Sequence, residues 1–324
     1  MPAHRSGKTS RCRFTTVTLG KTGASMLALR SLLVISALDG HTLTAAARSA
    51  ADAVVIDLAR PAVVGKREEA RALAAKHAKA IAKTGRPVFA RVADTRSHEM
   101  EADLDALVGE WLTALVLSGT EMPQDARDAD VQIRKREMRL GLTPGGIRLI
   151  PEIDSAEGLS ALPRILDAVD RHAAVALSAE GLRVDLRLGE RASTLYDHAM
   201  ADVAIHADTA RLPWVLALDA HRPEWTALPA RAHDFGAAGV ALHDETATRG
   251  MNALFTPDPT EVAIARVIMT EWERVRASGA WTGVVAGEVI EAPTTDRLVD
   301  RRTVRRARAL IALADAIGRR ERVR

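Results

Sequence analysis

The chain has 324 residues, a formal net charge of +3, a single cysteine and few aromatic residues (3%). The lone Cys12 excludes an intramolecular disulfide and a cysteine-based zinc site, and it is typical of a reduced, cytoplasmic setting. No apolar run reaches the roughly 18 residues that a membrane span needs, so we expect no membrane partner. The length suits one α/β barrel.

The basic excess lies at the two ends of the chain. Residues 1–28 are predicted to form a basic, disordered extension, and arginines recur from residue 301 to the end. A basic terminus can bind nucleic acid, but nucleic-acid platforms interleave basic residues with aromatic ones. Because that pattern is missing here, we expect solvated charges and no nucleic-acid partner.

Apolar, β-branched runs recur along the chain at a spacing that leaves room for helices. Continuous apolar strands that alternate with helical segments are typical of a parallel sheet covered on both faces. Eight such runs predict a (β/α)8 TIM barrel over residues 29–277. The predicted strands are 31–37, 53–58, 87–92, 113–118, 147–153, 173–178, 213–218 and 238–242.

A C-terminal helical extension follows the eighth strand. Residues 255–277 predict a helix with Thr260 as its N-cap, and residues 278–296 predict an irregular segment. Residues 299–318 predict a last helix whose first turns are basic. Because basic residues at a helix start oppose the helix dipole, we expect residues 278–324 to pack on a neighbouring subunit.

Three polar residues end predicted strands, where a barrel carries its chemistry. Asp57 ends the second strand, where it binds metal-bound water, orients an arginine, or caps the next helix. Arg91 ends the third strand among apolar neighbours, and a guanidinium there is suited to hold a carboxylate bidentately. His243 ends the eighth strand, where it contacts substrate or bonds the backbone.

Acidic residues follow the fifth and sixth strands. Glu152 and Asp154 occupy alternate positions and are expected to face the same side, and Glu180 follows the sixth strand. One of the first two together with Glu180 would bind Mg²⁺, whose protein sites use few carboxylates plus water. The alternative is that Asp154 and Ser155 cap the following helix.

The ordered motifs resemble the HpcH/HpaI aldolase and citrate-lyase β-subunit family. RSLLVISA is similar to RS-x-L-x-VPG, AADAVVIDLARPAV to GADAVILDLEDSV, PVFARVAD to PVWVRIN, and LIPEIDSAEGL to LIPLIETARGL. VALSAEGLRVDLRLG resembles LAFGAEDLAADLG, and LVDRRTVRRARAL resembles MVDRPVVRRARRIL. The resemblance runs from about residue 30 to residue 313.

The resemblance implies a barrel with a C-terminal helical extension that assembles as a homotrimer or hexamer. It implies a carbon–carbon lyase (aldolase/CoA ester lyase) that acts on citryl-CoA- or malyl-CoA-like esters, with CoA as part of the substrate. In such enzymes Mg²⁺ and an arginine hold an α-keto acid while an enolate forms on the thioester. By this resemblance Arg91 is the keto-acid arginine, and Asp300 is an aspartate that reaches a neighbouring subunit's site.

The same resemblance exposes departures at the metal site. Asp154 stands at the first metal position, Gly181 stands at the second, and Glu180 precedes it as a possible substitute. Ala59 and Arg60 replace both acids after Asp57. A weak or altered Mg²⁺ site is therefore expected.

Further departures lie elsewhere in the matched motifs. Gly119 replaces the lysine of an LPK segment, and Asp244 replaces the proline after His243. Glu291 is an alternative match to the aspartate aligned with Asp300. Two hypotheses follow: an active lyase with a remodelled metal site, or a catalytically impaired relative that binds a ligand or assembles with other subunits.

Overall fold

The computed structural model describes residues 26–189, 193–218, 225–286 and 297–322. Eight parallel strands form a closed barrel in chain order, and the first strand pairs with the eighth, with Leu32 opposite Ala241. Every predicted strand is confirmed to within about two residues at either end. The strands are β1 (Ser31–Ser36), β2 (Ala53–Asp57), β3 (Val88–Val92), β4 (Ala114–Leu117), β5 (Arg148–Ile153), β6 (Val175–Ser178), β7 (Trp214–Ala217) and β8 (Gly239–Leu242).

Helices cover the outside of the barrel and extend beyond it. Their apolar faces pack on the outward side chains of the strands and form the larger core. None of the described helices is long and apolar enough to cross a membrane. The helices are α1 (Gly40–Ala46), α2 (Arg67–Ala82), α3 (Met100–Leu107), α4 (Pro123–Arg139), α5 (Ala156–Asp167), α6 (Ala179–Asp185), α7 (Ser193–Ala210), α8 (Leu228–Asp234), α9 (Thr248–Leu254), α10 (Pro259–Ala277) and α11 (Arg301–Arg322).

Alternation along the strands decides which side chains line the barrel interior. Val55 of β2, Phe89 of β3 and Ile150 of β5 belong to the inner core. Residues two positions further along a strand point the same way. Asp57, Arg91 and Glu152 are therefore directed inward at the carboxyl end of the barrel, which we call the barrel mouth.

The helix after the barrel is capped differently from the sequence prediction. Helix α10 begins at Pro259, and the carboxylate of Asp258 accepts a hydrogen bond from the backbone N–H of Thr260 (2.6 Å). The prediction of Thr260 as the N-cap was wrong. Proline at the first helical position needs no hydrogen-bond donor, so the cap lies one residue before it.

The segment predicted to be irregular contains part of a hairpin. Strand β9 (Gly283–Val285) pairs antiparallel with β10 (Arg297–Val299), while residues 287–296, including Glu291, lie outside the described part of the chain. Val285 and Val299 are buried against α10. A strand of three residues leaves too short a pattern to be recognised in the sequence.

Helix α11 crosses the amino end of the barrel. Arg305 forms an ion pair with Asp208, in the last turn of α7 just before β7. Near the other end of α11, Arg320 donates to the backbone carbonyls of Asp52 (2.9 Å) and Ala51 (3.1 Å), which precede β2. Arg305 and Arg320 thus have partners in their own chain, and packing on a neighbouring subunit stays a prediction.

Candidate functional site

Arg91 is the centre of the barrel mouth. Its Nε donates to Oε2 of Glu152 at 2.7 Å, a short bond that fixes the inner part of the guanidinium. The terminal nitrogens make longer contacts, Nη1 to Oδ2 of Asp57 at 3.4 Å and Nη2 to Oγ of Ser118 at 3.3 Å. The structure therefore brings the two predicted carboxylates, Asp57 and Glu152, and the hydroxyl group of Ser118 together around one mostly buried arginine.

Asp57 combines two of the roles that the sequence left open. Its Oδ1 accepts from the backbone N–H of Ala59 (2.9 Å), which fixes the turn after β2. Its Oδ2 accepts from Nε of Arg60 (3.0 Å) as well as from Arg91. The side chain of Asp57 is 1% exposed, and its carboxylate lies between the guanidinium groups of Arg60 and Arg91.

Arg60 is the site residue that sequence reasoning missed. The family resemblance shows Arg60 only as the loss of an acid. In the structure its side chain is 33% exposed and contacts both Asp57 and His243. The signal that could have revealed it is the i, i+3 spacing from an acid at a strand end.

His243 lies in the barrel mouth beside Arg60. Its Nδ1 is 2.8 Å from the carbonyl oxygen of Val34, so we assign the ring proton to Nδ1 as the donor of that bond. Its Nε2 then faces the Nη2 of Arg60 as an acceptor. The histidine thus bonds the backbone and also faces the other charged residues of the mouth.

Asp154 lies just past the end of β5, which ends at Ile153. Its Oδ2 accepts from the backbone N–H of Gly119 at 3.1 Å. Burial raises the pKa of Asp154, and the Gly119 hydrogen bond and the positive charge of Arg91 offset this only in part.

Gly181 is required by the close approach of the turn that contains Asp154. Its N–H donates to Oγ of Ser178 (3.0 Å), which caps α6. A Cβ at position 181 would lie 2.3 Å from Cβ, 2.8 Å from the carbonyl oxygen and 2.9 Å from Cα of Asp154. In this conformation the backbone of Asp154 occupies the space of any side chain at 181.

Glu180 does not take the place of the missing acid. Its carboxylate accepts two bonds from Arg183, from Nε at 2.8 Å and from Nη2 at 2.7 Å. This pair stands one turn apart on α6 and engages both carboxylate oxygens.

The described residues do not fit Mg²⁺. The ion prefers an octahedral set of oxygen ligands. Here Glu152 and Glu180 are bound by arginines. The backbone of Asp154 occupies the space that a side chain at position 181 would need. Across the described ranges no three His, Cys, Asp or Glu side chains gather as a possible cation site. The structure does not assemble the predicted metal residues Asp154, Glu180 and Glu152 into one ligand set.

Asp300 lies apart from the mouth within one chain. Its Oδ1 accepts from the backbone N–H groups of Arg302 and Thr303, both at 2.9 Å, at the start of α11. The Thr303 backbone hydrogen bond lowers the pKa of Asp300. Because α11 crosses the amino end of the barrel, Asp300 lies on the side opposite to Arg91.

A narrow cleft leads from the mouth into the barrel. Arg91 and Glu152 line it together with apolar residues such as Val34 and Val116, and its volume is about 20 Å³. That volume holds about one water molecule. A larger ligand would lie above Arg91, toward solvent.

Acids and arginines at the carboxyl ends of a closed parallel barrel define the site of a barrel enzyme, or of a binding protein derived from one. The sequence model of the HpcH/HpaI aldolase/citrate lyase family matches residues 30–242. The chain belongs to this family, which confirms the resemblance stated above.

Individual relatives agree with this assignment. The citrate lyase subunit beta of Escherichia coli K12 is 27% identical over 225 residues, which are 68% of this chain and 71% of that protein. The one from Leuconostoc mesenteroides subsp. cremoris is 22% identical over 82% of this chain and 86% of its own.

Solved structures share the fold. A citrate lyase from Burkholderia xenovorans LB400 superposes with a TM-score of 0.68 at 15% identity, over 93% of this chain and 96% of that chain. CitE from Mycobacterium tuberculosis, in complex with magnesium, acetoacetate and coenzyme A, gives a TM-score of 0.60 at 16% identity, over 90% and 99% of the two chains.

Proposed function

We propose that this chain is a carbon–carbon lyase that cleaves or forms a 3-hydroxyacyl-CoA-like ester of the citryl-CoA or malyl-CoA class. The observation that carries the proposal is Arg91, whose inner nitrogen is fixed by Glu152 at 2.7 Å while its terminal nitrogens make long contacts toward the mouth. A carboxylate of the α-keto acid would bind this terminal edge bidentately. The Mycobacterium relative, solved with acetoacetate and coenzyme A, supports the ligand class.

The proposed reaction balances around one broken bond. In the cleavage direction the proton of the 3-hydroxyl group leaves, and its electron pair forms the carbonyl of the keto acid. The carbon–carbon bond breaks, and its electron pair passes to the enolate of the thioester, which then takes up a proton. Formation of the ester is the reverse sequence.

The residues take distinct parts in this scheme. Arg91 binds the keto-acid carboxylate and stabilises developing negative charge. Asp57 positions Arg91, and His243 contributes to substrate binding. Asp300 of a neighbouring subunit supplies the proton-transfer group, which makes a homo-oligomer, a trimer or hexamer, part of the proposal. Magnesium, implied by the family, has no part in the scheme because the described residues do not fit it.

A second candidate function is ligand binding without turnover. One observation favours it: Asp57, Glu152 and Glu180 are each engaged by an arginine, so the mouth has few carboxylates left for proton transfer or metal binding. Such a chain would be a pseudoenzyme that binds a ligand or assembles with active subunits.

The two candidates differ in turnover. Purified protein is incubated with citryl-CoA and malyl-CoA, and released keto acid is trapped as a hydrazone and measured. The lyase proposal expects release of keto acid that is lost in Arg91→Lys. This variant keeps the positive charge but not the paired N–H donors that bind a carboxylate bidentately. Binding of oxaloacetate or pyruvate without release from any ester would favour the second candidate. If neither keto-acid binding nor keto-acid release were detected, both candidate functions would be contradicted.

A further inference from the structure

We propose that the barrel mouth works without a divalent cation, and that Arg60 makes this possible by neutralising Asp57 and leaving the terminal edge of Arg91 to the ligand. This inference rests on the proposed binding of a keto-acid carboxylate at Arg91. It goes beyond that proposal because it states what replaces the metal that the family implies, and it assigns a role to a residue that the resemblance does not.

The first argument is steric. A metal ligand at position 181 would need space that the backbone of Asp154 occupies, since a Cβ there would lie 2.8 Å from the Asp154 carbonyl oxygen and 2.9 Å from its Cα. Contacts below about 3 Å to backbone atoms cannot be relieved by rotating a side chain. Gly181 is thus a packing requirement of this mouth, and the second carboxylate cannot return without moving the turn after β5.

The second argument is electrostatic. At three positions where the family pattern carries an acid, this chain carries Ala59, Arg60 and Gly181. Two of the changes remove a negative charge and the third replaces one with a positive charge. A cluster of acids needs a bound cation to offset its repulsion. The substitutions remove that need, because the fixed guanidinium of Arg60 supplies positive charge at the mouth.

The third argument is the division of Asp57 between two arginines. Its Oδ2 lies 3.0 Å from Nε of Arg60 but 3.4 Å from Nη1 of Arg91. Since the shorter contact is the stronger one, Arg60 is the main counter-ion of Asp57. The longer contact of Arg91 leaves Nη1 able to donate to a ligand carboxylate while it stays near Asp57. Arg60 acts through Asp57 and Arg91 and is a positioning residue.

The metal part of the inference is tested without any substrate. Mn²⁺ is titrated into the full-length protein, and free Mn²⁺ is followed by electron paramagnetic resonance. We expect the free-ion signal to grow linearly to millimolar concentration, as in buffer. Saturable loss of the signal that disappears in Asp154→Ala would overturn the inference.

The role of Arg60 is tested by calorimetric titration of oxaloacetate and pyruvate, with excess EDTA and with Mg²⁺. We expect the same Kd in both conditions. Arg60→Gln should weaken binding by about tenfold, the typical effect of losing one charge-assisted hydrogen bond, and Arg60→Lys should recover part of it. The control is Arg274→Gln, which removes another i, i+3 arginine–carboxylate pair, the one with Glu271 on the surface of α10, and should leave the Kd unchanged.

The outcomes separate this inference from the proposed function. Keto-acid binding that is lost in EDTA and restored by Mg²⁺ would overturn the inference and leave the proposed lyase intact. Equal binding in both conditions, with no effect of Arg60→Gln in a folded protein, would contradict the proposed role of Arg60 as a positioning residue. Absence of keto-acid binding in every condition would contradict the proposed function and the role of Arg60. The metal part of the inference is decided separately, by the Mn²⁺ titration.

Discussion

Replacing Gly181 with alanine tests the close approach between the turn after β5 and the start of α6. Overpacking of a well-packed site typically costs about 1–3 kcal/mol of the free energy of unfolding, and here the contacts include backbone atoms at 2.8 and 2.9 Å. Alanine also favours a helix over glycine by about 1 kcal/mol, which offsets part of this cost. Because backbone atoms cannot rotate away, we take the upper end of that cost, about 3 kcal/mol, and expect a net loss of about 2 kcal/mol.

The matched control is Gly250→Ala. Gly250 also lies inside a short helix, α9, but a Cβ there would meet nothing within 4 Å. This variant should gain up to about 1 kcal/mol from helix propensity alone. Urea unfolding of both variants, followed by circular dichroism, measures the difference. If Gly181→Ala were as stable as Gly250→Ala, the steric argument would be refuted, and with it the explanation for the missing acid at position 181.

Three further predictions concern buried charges. Arg91→Ala leaves Glu152, which is 2% exposed, without its guanidinium, so we expect a loss of about 3–5 kcal/mol in urea unfolding; a loss below about 1 kcal/mol would contradict the buried pair. Arg30→Ala should cost a similar amount, because Arg30 meets the fully buried Asp52 at 2.9 Å; an unchanged unfolding midpoint would argue against that ion pair. Burial raises the pKa of Asp154, so folding stability is lost as pH rises from the ordinary Asp range through the raised pKa. Asp154→Asn should therefore be more stable than the parent at neutral pH and converge with it in acid, and a constant difference across a pH series of unfolding curves would show that ionisation is not the cause.

The barrel and the inward-facing polar residues at its mouth could be predicted from the sequence because both depend on the local pattern of apolar and polar residues. Apolar, β-branched runs define the eight strands, and strand alternation places Asp57, Arg91 and Glu152 on the inner side. His243, at the end of the eighth strand, was recognised by the same reasoning.

What could not be predicted depends on distances between segments that are remote in sequence. The approach of Asp154 to Gly181 is set by the packing of two turns, and a sequence comparison records it only as a missing acid. Likewise, the contact of Arg60 with His243 joins residues 183 positions apart. The short strand β9 was missed for a different reason, since its burial comes from contact with α10 and not from its own pattern.

The pairing of β1 with β8 has a consequence for how the chain folds during synthesis. The first strand needs the eighth, which ends at Leu242. As the chain leaves the ribosome from its N-terminus, β1 has one partner in β2 while its other edge stays open until most of the protein has been made. An open strand edge is prone to pair with other chains. Slowing translation shortly before codon 239 should therefore prolong the period in which the nascent chain aggregates, whereas a pause after residue 322 should not.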